Sequence, residues 1–294
     1  MKLATVRHRD GTALVSLSEQ GVVDLTAALG GDPPLSDLDA LCGALTVDPT
    51  SRLRIAEATA SGSPRWAPNE VTILAPLRHP SKIVCVGLNY LDHCRETGVP
   101  APTSPVIFSK FPSSIIGPGE PIVLHQVTKE LDWEVELVAV IGETVGPENR
   151  ASLGSLLGYT IGNDVSARDL QRQEGQWVRA KSLDSWCPLG PVVVTPDELG
   201  DPQALALGLR VNGEAQQESN TAEMVFSVSE LLEWLTATVS LLPGDLLFTG
   251  TPHGTGGFQQ PPRYLTSGDV VEAWIAGIGS FTNVVRAEPV ANRQ

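Results

Sequence analysis

Aromatic residues make up only 5% of this 294-residue chain, and it has just four cysteines. Those four, Cys42, Cys85, Cys94 and Cys187, are widely separated and form no Cys-x-x-Cys pair. Such spacing excludes a zinc ribbon and a disulfide scaffold, and it fits a reducing compartment. Positive charge is also short: 20 Lys and Arg stand against 34 Asp and Glu, a net charge of −14. A chain so acidic offers no basic surface to nucleic acid or to an anionic membrane, so neither is expected as a partner. Long apolar runs are missing too. Residues 1–10 lack the apolar stretch of a signal peptide, and no later stretch approaches a membrane span. A cytoplasmic protein is the expectation these absences give. With 41% hydrophobic and 18% charged residues, the chain reads as globular and long enough for a sizeable core.

What is present centres on Leu131-Asp132-Trp133-Glu134-Val135-Glu136-Leu137, followed by apolar residues to Ile141. With the two-residue period of a strand, Asp132, Glu134 and Glu136 share one face and Trp133, Val135 and Leu137 the other. Carboxylates held close together in a partly buried place need a cation or a proton. A solvated acidic edge strand would carry the same letters. The apolar continuation favours a strand running into the core, with its carboxylates suited to Mg²⁺, Mn²⁺ or Ca²⁺.

In chain order, residues 1–75 read as a small N-terminal module and 76–294 as the main domain. Leu3–Val6 and Ala13–Leu17 flank Asp10-Gly11 as a hairpin would. Weakly helical pieces lie around Ala27 and over Leu38–Leu45, and Val71–Leu77 reads as a strand. In the main domain Lys82–Gly87 is a buried-type strand that leads into a helix of about two turns. Asn89 is the expected N-cap of that helix and Gly98 its left-handed end. His93 and Glu96 share a face of it, either as an exposed ion pair or as a carboxylate-oriented imidazole. A helix is expected near Ser152–Leu157. Gly158–Gln171 runs from strand to helix, with Asp164 at the junction and Arg168 and Gln171 one and two turns on. Lys181 precedes another strand, and Val228–Thr238 is an amphipathic helix with a core-facing leucine stripe. The glycine-rich loop Gly250–Gly257 is neither a P-loop nor a Rossmann fingerprint.

Five separated motifs occur in order: Gly87-Leu88-Asn89-Tyr90-Leu91-Asp92-His93, Asp132–Leu137, Gly162-Asn163-Asp164-Val165-Ser166-Ala167-Arg168-Asp169, Lys181-Ser182-Leu183-Asp184, and Pro243-Gly244-Asp245 with Thr249-Gly250-Thr251-Pro252. Through them the chain resembles the fumarylacetoacetate hydrolase family over roughly residues 80–285. The resemblance implies an α+β, strand-rich fold, a mixed β-sandwich roll with a small N-terminal module, and a homodimer. It implies Mg²⁺ or Mn²⁺ held by Glu134, Glu136 and Asp164, with Asp132 outside the ligand set. His93 and Glu96 look like the catalytic dyad of the shorter members. In the tyrosine-pathway enzyme a fourth carboxylate lies seven residues before the histidine, and that position is Val86 here. Lys181 is implied as a further catalytic group. Arg168, Gln171, Thr251 and Asn89 are implied as contacts to a small 2-oxo acid. His125 and His253 are less usual for the family. The expected reaction passes through a metal-bound enolate. Hydrolysis of a C–C bond in an acylpyruvate-type 2,4-dioxo acid ranks first. Decarboxylation or enol–keto isomerisation of a muconate-type diacid ranks second, and a catalytically inactive ligand-binding protein is a remote third. The His93 helix is expected to be a lid, mobile or open without ligand.

Overall fold

The strand Val135–Ile141 is buried at every position and lies inside a twelve-stranded mixed sheet. Its odd-numbered residues Leu137, Ala139 and Ile141 enter one hydrophobic core, and Val138 and Val140 enter another on the opposite face. A strand covered on both sides must be apolar on both sides, which is why its alternation ends after Glu136. The computed structural model describes residues 1–30 and 34–289.

Val135–Ile141 pairs antiparallel with Leu156–Asn163 on one side and Leu246–Phe248 on the other. Leu246–Phe248 runs parallel to Ile83–Gly87, and Val106–Lys110 closes that edge. On the far side the order continues through Cys187–Val194, Lys2–His8, Gly11–Ser18, Gly21–Asp24 and Pro64–Trp66. The N-terminal hairpin thus extends the main sheet, because Lys2 and Leu3 pair with Val194 and Val193. A second, five-stranded sheet contains Ala206–Val211, Val270–Ile275 and Gly279–Ala287. Its Leu207, Leu209 and Phe281 pack into the core that holds Leu137 and Ala139. This is the strand-rich α+β architecture that the resemblance implies.

Local readings differ from the structure in four places. No helix forms around Ala27, while Ser51–Ser61 is helical beside the expected helix Leu38–Val47. Ser152–Leu157 is not a helix: a single 3₁₀ turn, Leu153–Ser155, leads straight into the strand from Leu156. Leu156 and Leu157 go to opposite cores, so the apolar pair marks a doubly buried strand rather than a helix face. Val71–Leu77 shortens to Thr72–Ile73. Finally, the acidic strand is broken into Leu131–Asp132 and Val135–Ile141. Asp132 pairs with Ser166 in a separate two-stranded ladder, so it leaves the face it shares with Glu134 and Glu136 in an unbroken strand.

Candidate active site

Glu136 stands in the row that continues as Val138 and Val140, and across the sheet it faces Gly162. A side chain at Gly162 would collide with the Phe248 ring, so none competes with Glu136 for space. Glu134 precedes the strand, and its backbone N–H donates to Asn163 Oδ1 at 2.9 Å. Asp164 follows the neighbouring strand, and its N–H donates to Glu134 O at 2.8 Å. These two backbone ties set the carboxylates side by side. One oxygen from each of Glu134, Glu136 and Asp164 lies within 4.8 Å of the other two, and all three residues are buried.

Three cations lean on this cluster. Lys181 Nζ donates to Glu134 Oε2 at 2.8 Å and Asp164 Oδ2 at 2.6 Å. Lys110 Nζ donates to Asp164 Oδ1 at 2.8 Å and also to the Lys181 carbonyl. Arg168 Nε donates to Asp132 Oδ2 at 2.7 Å. Its Nη2 lies 2.5 Å from Glu134 Oε1, an ion pair without the geometry of a directed hydrogen bond. Burial raises the Glu134 carboxyl, but Lys181 and Arg168 outweigh it and hold the group at about 2. Glu136 has no such partner. Burial first, then the charges of Asp164 and Glu134, push it well above the ordinary carboxylate range. Burial lowers Lys181, and Asp164 and Glu134 more than offset that, so it stays a cation.

The balance tests whether a divalent ion fits. Four buried carboxylates, Asp132, Glu134, Glu136 and Asp164, face three buried cations, Lys110, Arg168 and Lys181, which leaves one carboxylate uncompensated. An all-oxygen donor set with an excess negative charge suits a hard cation such as Mg²⁺ or Mn²⁺. Asp132 belongs elsewhere. It accepts from the Gly256 and Gly257 N–H groups at 2.7 and 2.9 Å and fastens the glycine-rich loop to Arg168.

A cavity of about 450 Å³ opens over the cluster, lined by Glu134, Glu136, Lys181, Arg168, Gln171, Thr251 and His93. His93 Nδ1 meets Glu96 Oε2 at 2.8 Å, and the imidazole is buried. A carboxylate on Nδ1 selects the tautomer whose Nε2 carries the lone pair. Gln171 Oε1 accepts from Arg168 Nη1 at 3.0 Å, and Thr251 Oγ1 donates to Val135 O at 3.0 Å. Gln217, buried, clamps this wall through Val135 N and Thr251 Oγ1, each at 2.9 Å.

Asn89 is neither an N-cap nor on the cavity wall. The helix is Leu91–Thr97 with Tyr90 in the cap position, and Gly98 ends it at φ 69°. The Asn89 amide donates to Phe226 O and Thr249 O and accepts from Phe226 N, so it is a buried tie between loops. Nor does the structure leave the helix loosely held. Glu96 Oε1 accepts from Gly254 N at 2.8 Å, and Asp92 Oδ2 accepts from Ser219 Oγ at 2.5 Å. The reading of a short helix with little to hold it is corrected by these carboxylate staples. His253 and His125 both use Nε2 on backbone carbonyls, of Glu218 and Asp184, and neither lines the cavity. Sequence reasoning missed Lys110, Gln217 and the cavity residues Arg172, Trp177 and Phe258. For Lys110 the one available signal is a lysine ending a strand that opens with three apolar residues.

A buried carboxylate triad that could hold a metal ion thus lies under a cavity that also carries an imidazole–carboxylate pair. The chain belongs to the fumarylacetoacetate hydrolase family: residues 82–286 match the family model described as fumarylacetoacetate (FAA) hydrolase C-terminal. It is 47% identical over 235 residues to the mitochondrial oxaloacetate tautomerase FAHD2A of Bos taurus, covering 79% of this chain and 74% of the relative. It is 40% identical over 268 residues to the 2,4-didehydro-3-deoxy-L-rhamnonate hydrolase of Sphingomonas sp. (strain SKA58), covering 88% and 89%. Among solved structures, the fumarylacetoacetate hydrolase of Exiguobacterium antarcticum superposes with a TM-score of 0.83 at 37% identity, covering 98% of this chain and all of that one. Together the carboxylate cluster and the family membership support a metal-assisted reaction related to 2-oxo acids.

The same comparison overturns the cytoplasmic expectation, since the oxaloacetate tautomerases it matches are mitochondrial proteins. Scattered free cysteines fit a reducing compartment in general and do not single out the cytoplasm. Mitochondrial transit peptides are amphipathic rather than apolar, so a search for apolar runs does not bear on them.

Proposed function

We propose that the protein is a keto–enol isomerase of a short 2-oxo diacid of the oxaloacetate kind. One observation carries the choice over C–C hydrolysis: the identity of 47–48% with oxaloacetate tautomerases, against 40% with the matched hydrolase. Isomerisation moves one proton between C3 and the 2-oxygen and makes no bond to water. It asks the chain for one well-placed base, a charge-stabilising wall and a site that holds the 2-oxo carboxylate.

Glu134, Glu136 and Asp164 would hold the divalent ion, which supplies Lewis-acid polarisation of the 2-oxo group when bound. His93 Nε2 exchanges the C3 proton, and Glu96 on Nδ1 orients the ring and stabilises the imidazolium that forms. Lys181, fixed as a cation by Glu134 and Asp164, places positive charge beside the developing oxyanion without giving up a proton. Arg168 and Gln171, bonded to each other at 3.0 Å, line the same cavity.

The test adds enol-oxaloacetate from dry solvent to metal-loaded protein and follows the loss of enol absorbance, with pyruvate release measured in parallel. Faster decay than in buffer without pyruvate is expected. No acceleration, together with cleavage of an acylpyruvate, would assign the protein to the hydrolases. That second reading draws on the Sphingomonas relative, which covers more of the chain.

A further inference from the structure

We infer that Arg172 is the residue that selects dicarboxylates, by taking the substrate's distal carboxylate at the cavity rim. This rests on the 2-oxo-acid reading above and adds to it the chemistry of the far end of the substrate.

The cations on the cavity wall are Arg168, Lys181 and Arg172. Arg168 and Lys181 are buried and committed to Asp132, Glu134 and Asp164. A second carboxylate on the substrate therefore cannot draw on them without breaking the cluster. Much of the remaining wall is apolar: Val86, Val99, Phe108, Trp177 and Phe258. A carboxylate left against those side chains would lose its hydration and gain nothing.

Arg172 is differently placed. Its side chain is 63% exposed and its Nη2 pairs with Glu130 Oε2 at 2.7 Å. An ion pair that exposed contributes little, so exchanging Glu130 for a ligand carboxylate costs little. Arg172 also follows Arg168 by four residues in the helix Arg168–Glu174, so the two project from the same face. The rise between them is about 6 Å along the axis. A four-carbon chain separates its terminal carbons by roughly 4 Å, given C–C bonds near 1.5 Å. A diacid whose 2-oxo end sits over the carboxylate cluster beside Arg168 thus brings its other end towards Arg172. A monoacid of the same length would bring a methyl group there.

The experiment measures Kd by calorimetry for oxaloacetate and for 2-oxobutanoate, which replaces the distal carboxylate by a methyl, on magnesium-loaded wild type, Arg172→Gln and Arg172→Lys. Wild type is expected to prefer oxaloacetate, and Arg172→Gln to shrink that preference about tenfold, the scale of one charge-assisted hydrogen bond partly open to water. Arg172→Lys should recover part of it. Because Arg172 is exposed, an unchanged melting curve will show that the fold is intact. Equal weakening of both ligands by Arg172→Gln, or no change in the ratio, would overturn the inference. The enol-absorbance assay on wild type is read separately. Diacid preference lost in the variant while wild type fails to speed tautomerisation would keep Arg172 as the selector and remove the isomerase reading.

Discussion

The backbone N–H of Gly250 donates to Glu136 Oε2 at 2.7 Å. Gly250 sits at φ +96°, and a side chain there would press within 2.8 Å of Asn89 Cβ, so glycine is what lets the amide approach the carboxylate. Among the described residues no lysine or arginine pairs with Glu136, which makes it the unbalanced member of the triad.

Glu136→Gln should therefore act in opposite directions on metal affinity and metal-free stability. Burial and the neighbouring carboxylates raise the Glu136 pKa in the folded protein. Its contribution to stability is present below the unfolded value and lost as pH rises through the folded one. In chelated protein the glutamine variant should gain stability over wild type, of order 1–3 kcal/mol on the alkaline side and little on the acidic side. Denaturant melts at several pH values check this. In the same variant Mg²⁺ or Mn²⁺ should bind at least about tenfold more weakly. Chelation should stop wild-type turnover and either ion should restore it, and full activity after exhaustive chelation would remove the metal from the reaction.

Lys181 is predicted to act by charge and not as a Schiff-base nucleophile. Its ammonium is bonded to Glu134 and Asp164, and these carboxylates hold it protonated against the pull of burial. Borohydride added with substrate should leave no adduct on Lys181 by mass spectrometry. A trapped adduct would place the protein in a different mechanistic class.

His93→Ala should lower kcat by roughly 10²–10⁴, the usual worth of a positioned base, while metal affinity stays close to wild type. Glu96→Gln should be milder. Glu96 uses Oε2 on His93 and Oε1 on Gly254 N, and glutamine keeps one acceptor oxygen for one of these. Loss of the metal from His93→Ala, with the rate regained once metal is forced back, would show that the imidazole is not the base.

The parts of this site that could be read from the letters are those set by local chain geometry. Glu134 and Glu136 lie two residues apart next to a doubly buried strand, and His93 and Glu96 lie one helical turn apart. What could not be read depends on pairing across the fold. Lys110 reaches Asp164 across 54 positions, and Gln217 reaches Val135 across 82. Asp132 shows the limit of period counting: two residues of broken strand at Trp133 and Glu134 were enough to send it to Gly256 and Gly257. The expectation of a helix near Ser152–Leu157 fails because an apolar pair such as Leu156-Leu157 reads alike in a helix and in a strand covered on both faces.

Asp92 ties the helix Leu91–Thr97 to its neighbours beside the cavity. Its Oδ2 accepts from Ser219 Oγ at 2.5 Å, and its Oδ1 accepts from His93 N at 2.7 Å and His253 N at 3.3 Å. A seven-residue helix is too short to persist by its own hydrogen bonds, so its order comes from tertiary contacts, these ties and the Glu96–Gly254 contact among them. Asp92→Ala removes bonds to two different segments at once, each worth about 1 kcal/mol. Amide exchange over the helix should then speed up by roughly tenfold or more, through local opening, while exchange in Val135–Ile141 stays slow. Because His93 rides on this helix, kcat should fall with it, and metal affinity should not, since the carboxylate triad is anchored by the sheet. Unchanged exchange over residues 91–97 in the variant would mean that packing of His93 and Cys94 alone fixes the helix, and that the carboxylate ties are incidental.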